Sequence, residues 1–104
     1  PMARWLVVGQ RRYELPEGES IVGRSLEADV LIDDLSVSKR HARLTLSDGK
    51  ATVEDLGSKN GTFVGGVAVD GPVPIADGDH LQFGQVVAEF RSLDAPASTA
   101  TVQR

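Results

Sequence analysis

Short segments in which apolar and polar residues alternate recur along the chain. In residues 42–46 every second residue is apolar, and residues 86–91 repeat the pattern. Alternation with a period of two is typical of a strand that buries one face against a core. The pattern therefore predicts a β-strand at each place.

Eight further segments rich in valine, leucine and isoleucine lie between turn signals. They are residues 5–8, 13–15, 21–23, 30–32, 51–54, 62–64, 67–69 and 81–83. Residues that favour turns separate them, as at 16–18 (Pro-Glu-Gly) and 47–49 (Ser-Asp-Gly). Many short strands with regular turns predict an all-β fold, either a sandwich or a barrel.

One segment could instead form a helix. Residues 25–48 contain neither glycine nor proline. Their centre, residues 30–34, reads Val-Leu-Ile-Asp-Asp, an apolar and β-branched run that ends in a pair of turn residues. We therefore predict a strand, a loop and a second strand here.

Composition limits the classes of protein to which the chain could belong. Its 104 residues allow one domain, and 40% apolar with 25% charged residues is typical of a folded globule. The absence of cysteine excludes a disulfide scaffold and thiolate metal sites and fits a reducing compartment. No apolar run approaches the roughly 20 residues that cross a bilayer, and no secretory signal precedes the domain. We expect a cytoplasmic protein, or a nuclear one if it is eukaryotic.

Charge is distributed unevenly around a net value of -4. Residues 1–52 carry eight basic and eight acidic residues, whereas residues 53–104 carry three basic and seven acidic ones. Between residues 36 and 46 lie Lys39, Arg40 and Arg43 with no acidic residue. A small basic spot on an acidic body suits a compact anion, because the overall field repels a long phosphate backbone. We expect neither a nucleic-acid partner nor a membrane surface.

The two ends of the chain differ from its centre. Pro1 precedes Met2, so residues 1–3 are interpreted as a cloning remnant or a flexible start. Residues 94–104 are small, polar and aperiodic, and we interpret them as a disordered tail or a linker. The folded domain is predicted at residues 4–93.

Three predicted loops carry groups that donate hydrogen bonds. They are Gly23-Arg24, the segment 36–41 (Ser-Val-Ser-Lys-Arg-His) and the segment 57–62 (Gly-Ser-Lys-Asn-Gly-Thr). Together they supply hydroxyl, amide, guanidinium and lysine groups without a carboxylate, and such a set can bind phosphate. Each loop alone is ordinary, because serine and asparagine often cap turns and basic side chains are usually solvated.

Taken together and in this order, the three loops resemble the forkhead-associated (FHA) domain. The family pattern is Gly-Arg, then Ser-x-x-His, then Asn-Gly-Thr, and the chain matches it at residues 23–24, 38–41 and 60–62. The resemblance runs from about residue 4 to residue 93. It implies a phosphothreonine-binding, two-sheet antiparallel β-sandwich of about eleven strands.

The resemblance also implies roles for individual residues. Arg24 and Ser38 bind the phosphate or the peptide next to it, and Lys39 occupies another phosphate-facing position. Asn60 hydrogen-bonds the peptide backbone beside the phosphothreonine. The residues that match positions whose role is to build and brace the loops are Gly23, His41 and Gly61.

Three further positions bear on the choice of peptide. Lys59 stands where many family members have a hydroxyl residue, so a contact to phosphate or backbone is altered or replaced by a charge. Gly65-Gly66 stands where the family often has Asn-Gly, which loosens that turn. Arg40 is interpreted as a solvated side chain that could add a phosphate contact. Arg40 and Lys59 are therefore secondary candidates for peptide binding.

An enzyme and a metal site are weaker interpretations of the same residues. Ser38 and His41 with a nearby aspartate could suggest a hydrolase, but residues three apart on an extended segment point to opposite sides. No Gly-x-Ser-x-Gly elbow is present to aim a nucleophile. His80 and the Asp-Gly-Asp segment at 77–79 lack the remaining ligands of a calcium loop. We expect no catalytic residue, no bound metal and no cofactor.

The predicted function is phosphothreonine-dependent protein–protein interaction. The partner is a protein or peptide phosphorylated by a Ser/Thr kinase, and the domain belongs to a signalling or regulatory protein. The alternative is a phosphorylation-independent scaffold or oligomerisation domain that uses a sheet face. A further hypothesis is that phosphorylated Thr99 or Thr101 binds the pocket of its own or a neighbouring molecule.

Overall fold

The computed structural model describes residues 2–94, which form eleven β-strands. The strands are β1 (Met2–Val8), β2 (Arg11–Glu14), β3 (Gly18–Gly23), β4 (Val30–Leu31), β5 (Ala42–Ser47), β6 (Lys50–Asp55), β7 (Thr62–Val64), β8 (Val67–Ala68), β9 (Val73–Ile75), β10 (His80–Phe83) and β11 (Val86–Asp94). Within these residues there is no helix that is long and apolar enough to cross a bilayer.

The strands form two sheets that pack as a sandwich. One sheet has six strands in the order β2-β1-β11-β10-β7-β8, and the other has five in the order β4-β3-β5-β6-β9. Pairing is antiparallel except between β3 and β4, which run parallel. The predicted two-sheet sandwich of about eleven strands is confirmed, and the barrel is wrong.

The alternating pattern places one face of each strand in the core. Ala42, Leu44 and Leu46 of β5 are at most 1% exposed. From the other sheet, Phe83 and Phe90 are buried to the same degree. Burial of these side chains from both sheets supplies the main stabilising force, since the chain has no disulfide.

Two details of the strand prediction were tested by the structure. Residues 25–48 contain β4, a long loop and the whole of β5, as predicted, and no helix. The strand β9 was missed, because Pro74 lies at its centre. Proline has no backbone N–H, and β9 is an edge strand that pairs only with β6, so it tolerates proline.

The connections gather at two opposite ends of the sandwich. At one end, which we call the motif end, the loops 24–29, 32–41, 56–61 and 84–85 are joined by backbone hydrogen bonds such as Arg24 N–H to Ser38 C=O and Gly84 N–H to Gly61 C=O, both 3.0 Å. At the other, the far end, lie the turns 15–17, 48–49 and 76–79. There Asp48 N–H donates to Glu17 Oε2 at 3.1 Å.

Candidate functional site

The first two motif loops are in close backbone contact. Gly23 ends β3, and a Cβ atom at this position would collide with the carbonyl group of Lys39. A residue without a side chain is therefore required there. Next to it, Arg24 N–H donates to Ser38 C=O at 3.0 Å and Ser25 N–H to Lys39 C=O at 3.3 Å.

The side chain of Arg24 is fixed through its Nε atom, and its two terminal nitrogens are free. Its Nε donates to the carbonyl of Val37 at 2.9 Å, and the residue is half-buried. Within residues 2–94 its two terminal nitrogens make neither a hydrogen bond nor an ion pair. The guanidinium thus keeps the planar pair of N–H groups that binds phosphate oxygens in a bidentate manner.

His41 lies beneath the loops and joins two of them. The side chain is fully buried, and its Nδ1 accepts a hydrogen bond from Ser38 N–H at 3.0 Å. Because Nδ1 is an acceptor, the neutral ring carries its proton on Nε2, which donates to Gly61 C=O at 2.8 Å. The edge of the ring meets Phe83 with 5.9 Å between centroids. Both nitrogens are therefore occupied, and neither can serve as a base for Ser38.

The side chains of Ser38 and Asn60 each form one hydrogen bond within the loops. Ser38 Oγ accepts from Lys59 N–H at 3.0 Å, so its hydroxyl hydrogen can still be donated outward. Asn60 is exposed, and its Nδ2 donates to Ser36 C=O at 2.9 Å. The amide oxygen of Asn60 and its second N–H remain able to bind an extended backbone.

The basic spot differs from the one that the sequence indicates. Arg43 lies on β5 and pairs with Glu54 at 3.3 Å and with Glu19 at 3.7 Å, away from the loops. The basic residues of the motif loops are Arg24, Lys39, Arg40 and Lys59, and none of the four has an ion-pair partner within residues 2–94. The motif loops therefore carry four cations whose side chains are not paired with a carboxylate within the described residues.

Sequence reasoning missed Asp55, at the end of β6. Its carboxylate accepts from the backbone N–H groups of Gly57 and Ser58, both at 3.0 Å, and from the hydroxyls of Ser58 at 2.5 Å and Thr62 at 2.7 Å. Partial burial raises the pKa of Asp55, but these hydrogen bonds together outweigh it and hold the pKa below its ordinary value. The available signal was an aspartate at a strand end with a serine three residues later, a common turn pattern.

Sequence reasoning also missed the contact of Ser36 with the loop at 84–85. Ser36 Oγ donates to Asp34 Oδ1 at 2.7 Å and accepts from Gln85 N–H at 2.9 Å. A Cβ atom at Gly84 would collide with the carbonyl of Ser36, and Gly84 has φ +62°. No local pattern links positions 49 residues apart, so only the folded sandwich reveals this contact.

The arrangement is suited to binding an anion and offers no metal centre. Within the described part of the chain, no group of three or more histidine, cysteine, aspartate or glutamate side chains could hold a metal ion. His80 is exposed, and Asp77 is paired with Arg91 at 2.8 Å. Within the three motif segments, residues 23–24, 36–41 and 57–62, the groups free to act are a hydroxyl, an amide and four cations.

Comparison with known proteins gives the family of this chain. The model of the FHA domain matches residues 20–84. The chain is 40% identical over 74 residues to the glycogen accumulation regulator GarA of Mycolicibacterium smegmatis, covering 71% of this chain and 46% of that protein. It is 36% identical over 87 residues to the oxoglutarate dehydrogenase inhibitor of Corynebacterium efficiens, covering 84% and 59%. The aligned segments thus span about half the length of these relatives.

Solved structures agree with this comparison. One from a structural and functional analysis of phosphothreonine-dependent FHA domain interactions has a TM-score of 0.81 and 33% identity, covering 86% of this chain and 95% of that one. The FHA domain of FhaA, solved in complex with the intracellular domain of Rv3910, has a TM-score of 0.78 and 33% identity, covering 88% and 100%. With the sandwich and the three matching loops, these findings show that the chain belongs to the FHA domain family.

Proposed function

We propose that this domain binds a partner protein through a phosphorylated threonine and performs no covalent chemistry. The observation that carries the proposal is the cluster of unpaired cations around the outward hydroxyl of Ser38. A phosphothreonine carries a charge of about -1.5 to -2 at pH 7 and three strong acceptor oxygens. The kinship with a protein studied for phosphothreonine-dependent interactions supports the same conclusion.

Each side chain has a definite part in the proposed complex. Arg24 binds two phosphate oxygens with its free N–H pair, and Lys39 adds a second cation. The hydroxyl of Ser38 donates to a third oxygen. Asn60 binds the peptide backbone, which must be extended for its amide groups to be accessible.

The remaining candidates act less directly. Arg40 and Lys59 are exposed and raise the positive potential at the rim of the site. Gly23, His41 and Gly61 hold the loops at their present spacing. Preformed loops avoid an ordering cost at the moment of binding.

The free energies expected for these contacts suit a reversible interaction. A hydrogen bond to a charged group contributes about 1.5–3 kcal/mol. Association costs about 4–15 kcal/mol in lost translational and rotational freedom. A few such bonds leave a moderate affinity, which is appropriate to a signalling or regulatory protein in the cytoplasm.

The deciding experiment compares peptides that differ only in the phosphate. An oriented phosphothreonine library first selects a preferred sequence, and calorimetry then measures the phosphorylated and unphosphorylated forms of that peptide at pH 7.5. We expect saturable binding of the phosphorylated form and at least about tenfold weaker binding of the other. Equal affinity for both forms across the selected peptides would reject the proposal.

A scaffold that uses a sheet face is the second candidate, and one observation favours it. On the outer face of the six-stranded sheet, Arg12 stacks 4.5 Å above the ring of Trp5. Val87 and Leu93 on the same face are 55% and 54% exposed. A partner bound here would bind with or without phosphate, and Val87→Glu would weaken it while leaving phosphopeptide affinity unchanged.

Binding of a phosphorylated tail stays a prediction, because Thr99 and Thr101 lie outside the described residues. The β11 strand runs from the motif end to the far end, and its nine residues span about 26 Å. A flexible arm of about ten residues reaches roughly 17 Å on average. The pocket of a neighbouring molecule is thus the better target, and a phosphorylated sample that stays monomeric in size-exclusion chromatography would contradict it.

A further inference from the structure

A cavity lies at the far end of the sandwich, remote from the motif loops. Its volume is about 350 Å³, and it opens between β6 and β9 of one sheet and β11 of the other. Its apolar walls are formed by Ala51, Ile75 and Phe90, all of which are buried. Ser92, also in its wall, is six residues along β11 from Val86, a distance of about 20 Å. The cavity is therefore separate from the proposed phosphopeptide site.

A buried arginine with incomplete pairing forms part of the wall. The side chain of Arg4 is only 5% exposed. Its Nε donates to Ser92 Oγ at a long 3.3 Å, and its Nη1 lies 3.6 Å from Glu17, whose side chain is 65% exposed. Its Nη2 is buried, has no hydrogen-bond partner within residues 2–94, and lies beside Gly49, which is also in the wall.

Such a group is unusual as a purely structural element. Buried donors are nearly always paired, and an apolar side chain would fill this end of the core without a desolvation penalty. Glu17 offsets the charge of Arg4 only in part, because an ion pair with a well-exposed partner is screened by solvent. The far end therefore holds a cation with a spare donor beside an apolar space.

The other polar groups around the cavity restrict what could enter it. Lys50 also lines the cavity, and its exposed side chain adds a positive charge at this end of the sandwich. Asp77 is in the wall as well, where Arg91 and Ser92 N–H hold its carboxylate at 2.8 Å each. An anionic group near Arg4 is favoured, whereas a second anionic group deeper in the ligand would be repelled by Asp77.

We propose that this cavity binds a small organic monocarboxylate with a short apolar chain. The carboxylate accepts hydrogen bonds from the guanidinium of Arg4, with a small movement of the turn at 48–49 to admit it. The apolar chain packs on Ile75 and Phe90. Binding clefts for small molecules commonly have this volume and this combination of apolar walls and few polar groups.

Three probes of equal length test the proposed ligand class. Hexanoate has one carboxylate, 1-hexanol has none, and adipate has two. In ¹H–¹⁵N spectra of the full chain, we expect hexanoate to cause saturable shifts at Gly49, Ala51 and Ile75 with a dissociation constant in the millimolar range. The alcohol and the diacid should bind at least about tenfold more weakly. Absence of saturation up to about 20 mM hexanoate, or equal binding of all three probes, would overturn the proposal.

Variants separate this site from the phosphopeptide site. Arg4→Met replaces the unbranched stem of the arginine with an apolar one but removes the guanidinium, and it should weaken hexanoate at least about tenfold. Lys50→Glu, on an exposed side chain, should weaken it several-fold and serves if Arg4→Met does not fold. Arg24→Ala should leave hexanoate binding unchanged. Unaltered hexanoate affinity in Lys50→Glu and in folded Arg4→Met would show that the shifts do not arise from this cavity.

Discussion

The backbone N–H of Ser38 donates to Nδ1 of His41 at 3.0 Å, so the candidate phosphate-binding loop is built on a buried imidazole ring. The opposite nitrogen of the ring donates to the carbonyl of Gly61 in the next loop. One side chain thereby sets the separation between the loop that carries Ser38 and the loop that carries Asn60. Its protonation on Nδ1 would break the first of these bonds.

We expect His41→Ala to lower the free energy of unfolding by about 1–3 kcal/mol, because it leaves Ser38 N–H without a partner. Gly61 C=O still accepts from Gly84 N–H at 3.0 Å, so the substitution mainly destabilises the loop at 36–41. The cavity left by the ring adds to the cost. Urea denaturation measures the change. His80→Ala removes the other, exposed histidine and should have little effect; equal stabilities of the two variants would contradict the bracing role.

Ser38→Ala should weaken phosphothreonine-peptide binding about 10- to 150-fold, the range expected for one hydrogen bond to a charged group. Arg24→Ala removes two such bonds and should weaken binding at least as much. Stability should change little, because Arg24 loses one bond to Val37 C=O and Ser38 one from Lys59 N–H at the rim of the site. Calorimetry with the selected peptide and a melting curve for each variant measure both effects. Lys50→Ala, at the far end, removes an equal charge and should bind like the wild type. Wild-type affinity in either folded site variant would remove that residue from the site.

The stabilising effect of Asp55 should disappear in acid. The carboxylate has a lowered pKa in the folded protein, so its contribution is present above the ordinary value of 3.8 and is lost as the pH falls through the lowered one. Asp55→Asn should therefore be less stable than the wild type at neutral pH, with a difference that shrinks as the pH falls below 3.8. Denaturation over a pH series measures it. Asp33→Asn, on an exposed side chain, is the matched control, and a difference for Asp55→Asn that stays constant with pH would contradict the argument.

The contact between Gly84 and Ser36 can be tested with a second glycine. Gly84 and Gly65 have similar φ angles, +62° and +57°, but only Gly84 has a neighbour against which a Cβ atom would collide. Gly65→Ala should cost about 1–2 kcal/mol through backbone conformation alone. Gly84→Ala should cost about 1–3 kcal/mol more and also weaken peptide binding, since it displaces Ser36 and the contact with Asn60. Equal losses of stability in the two variants would show that the contact is unimportant.

Peptide affinity should fall between about pH 7.5 and pH 5, because the second ionisation of the phosphate lies near pH 6. Added salt should weaken binding by screening the cations at the rim. Calorimetry over this range measures both effects. A phosphonate analogue with a displaced second ionisation is the control, and its profile should move with its own pKa. If the affinity of both ligands depends on pH in the same way, the titrating group belongs to the protein and not to the phosphate.

The sequence predicts most of this fold because burial imposes a simple period on antiparallel strands. Residues 42–46 show that period, and they are buried at alternate positions. The strand β9 was missed because of Pro74. A strand tolerates proline only at the edge of a sheet, and the edge position is known only from the topology. Short-range patterns carry no information of that kind.

In the candidate site too, local sequence motifs could be predicted, whereas contacts between distant segments could not. The three motifs are local, so Arg24, Ser38 and Asn60 could be named before their geometry was known. Arg43 looked like part of the basic spot until its position on β5 showed it beside Glu54. The supports of the loops, such as Ser36 against Gly84, depend on which loops the two sheets bring together.

The pairing of β1 with β11 has a consequence for how the domain can be joined to other proteins. Met2 and Asp94 are direct partners in this ladder, at the far end of the sandwich. A polypeptide entering before Met2 and one leaving after Asp94 would thus attach at neighbouring points, remote from the motif loops. Domains with adjacent termini tolerate insertion into a surface loop of a host protein. This domain should therefore fold as an insert, presenting its motif end outward without a long linker.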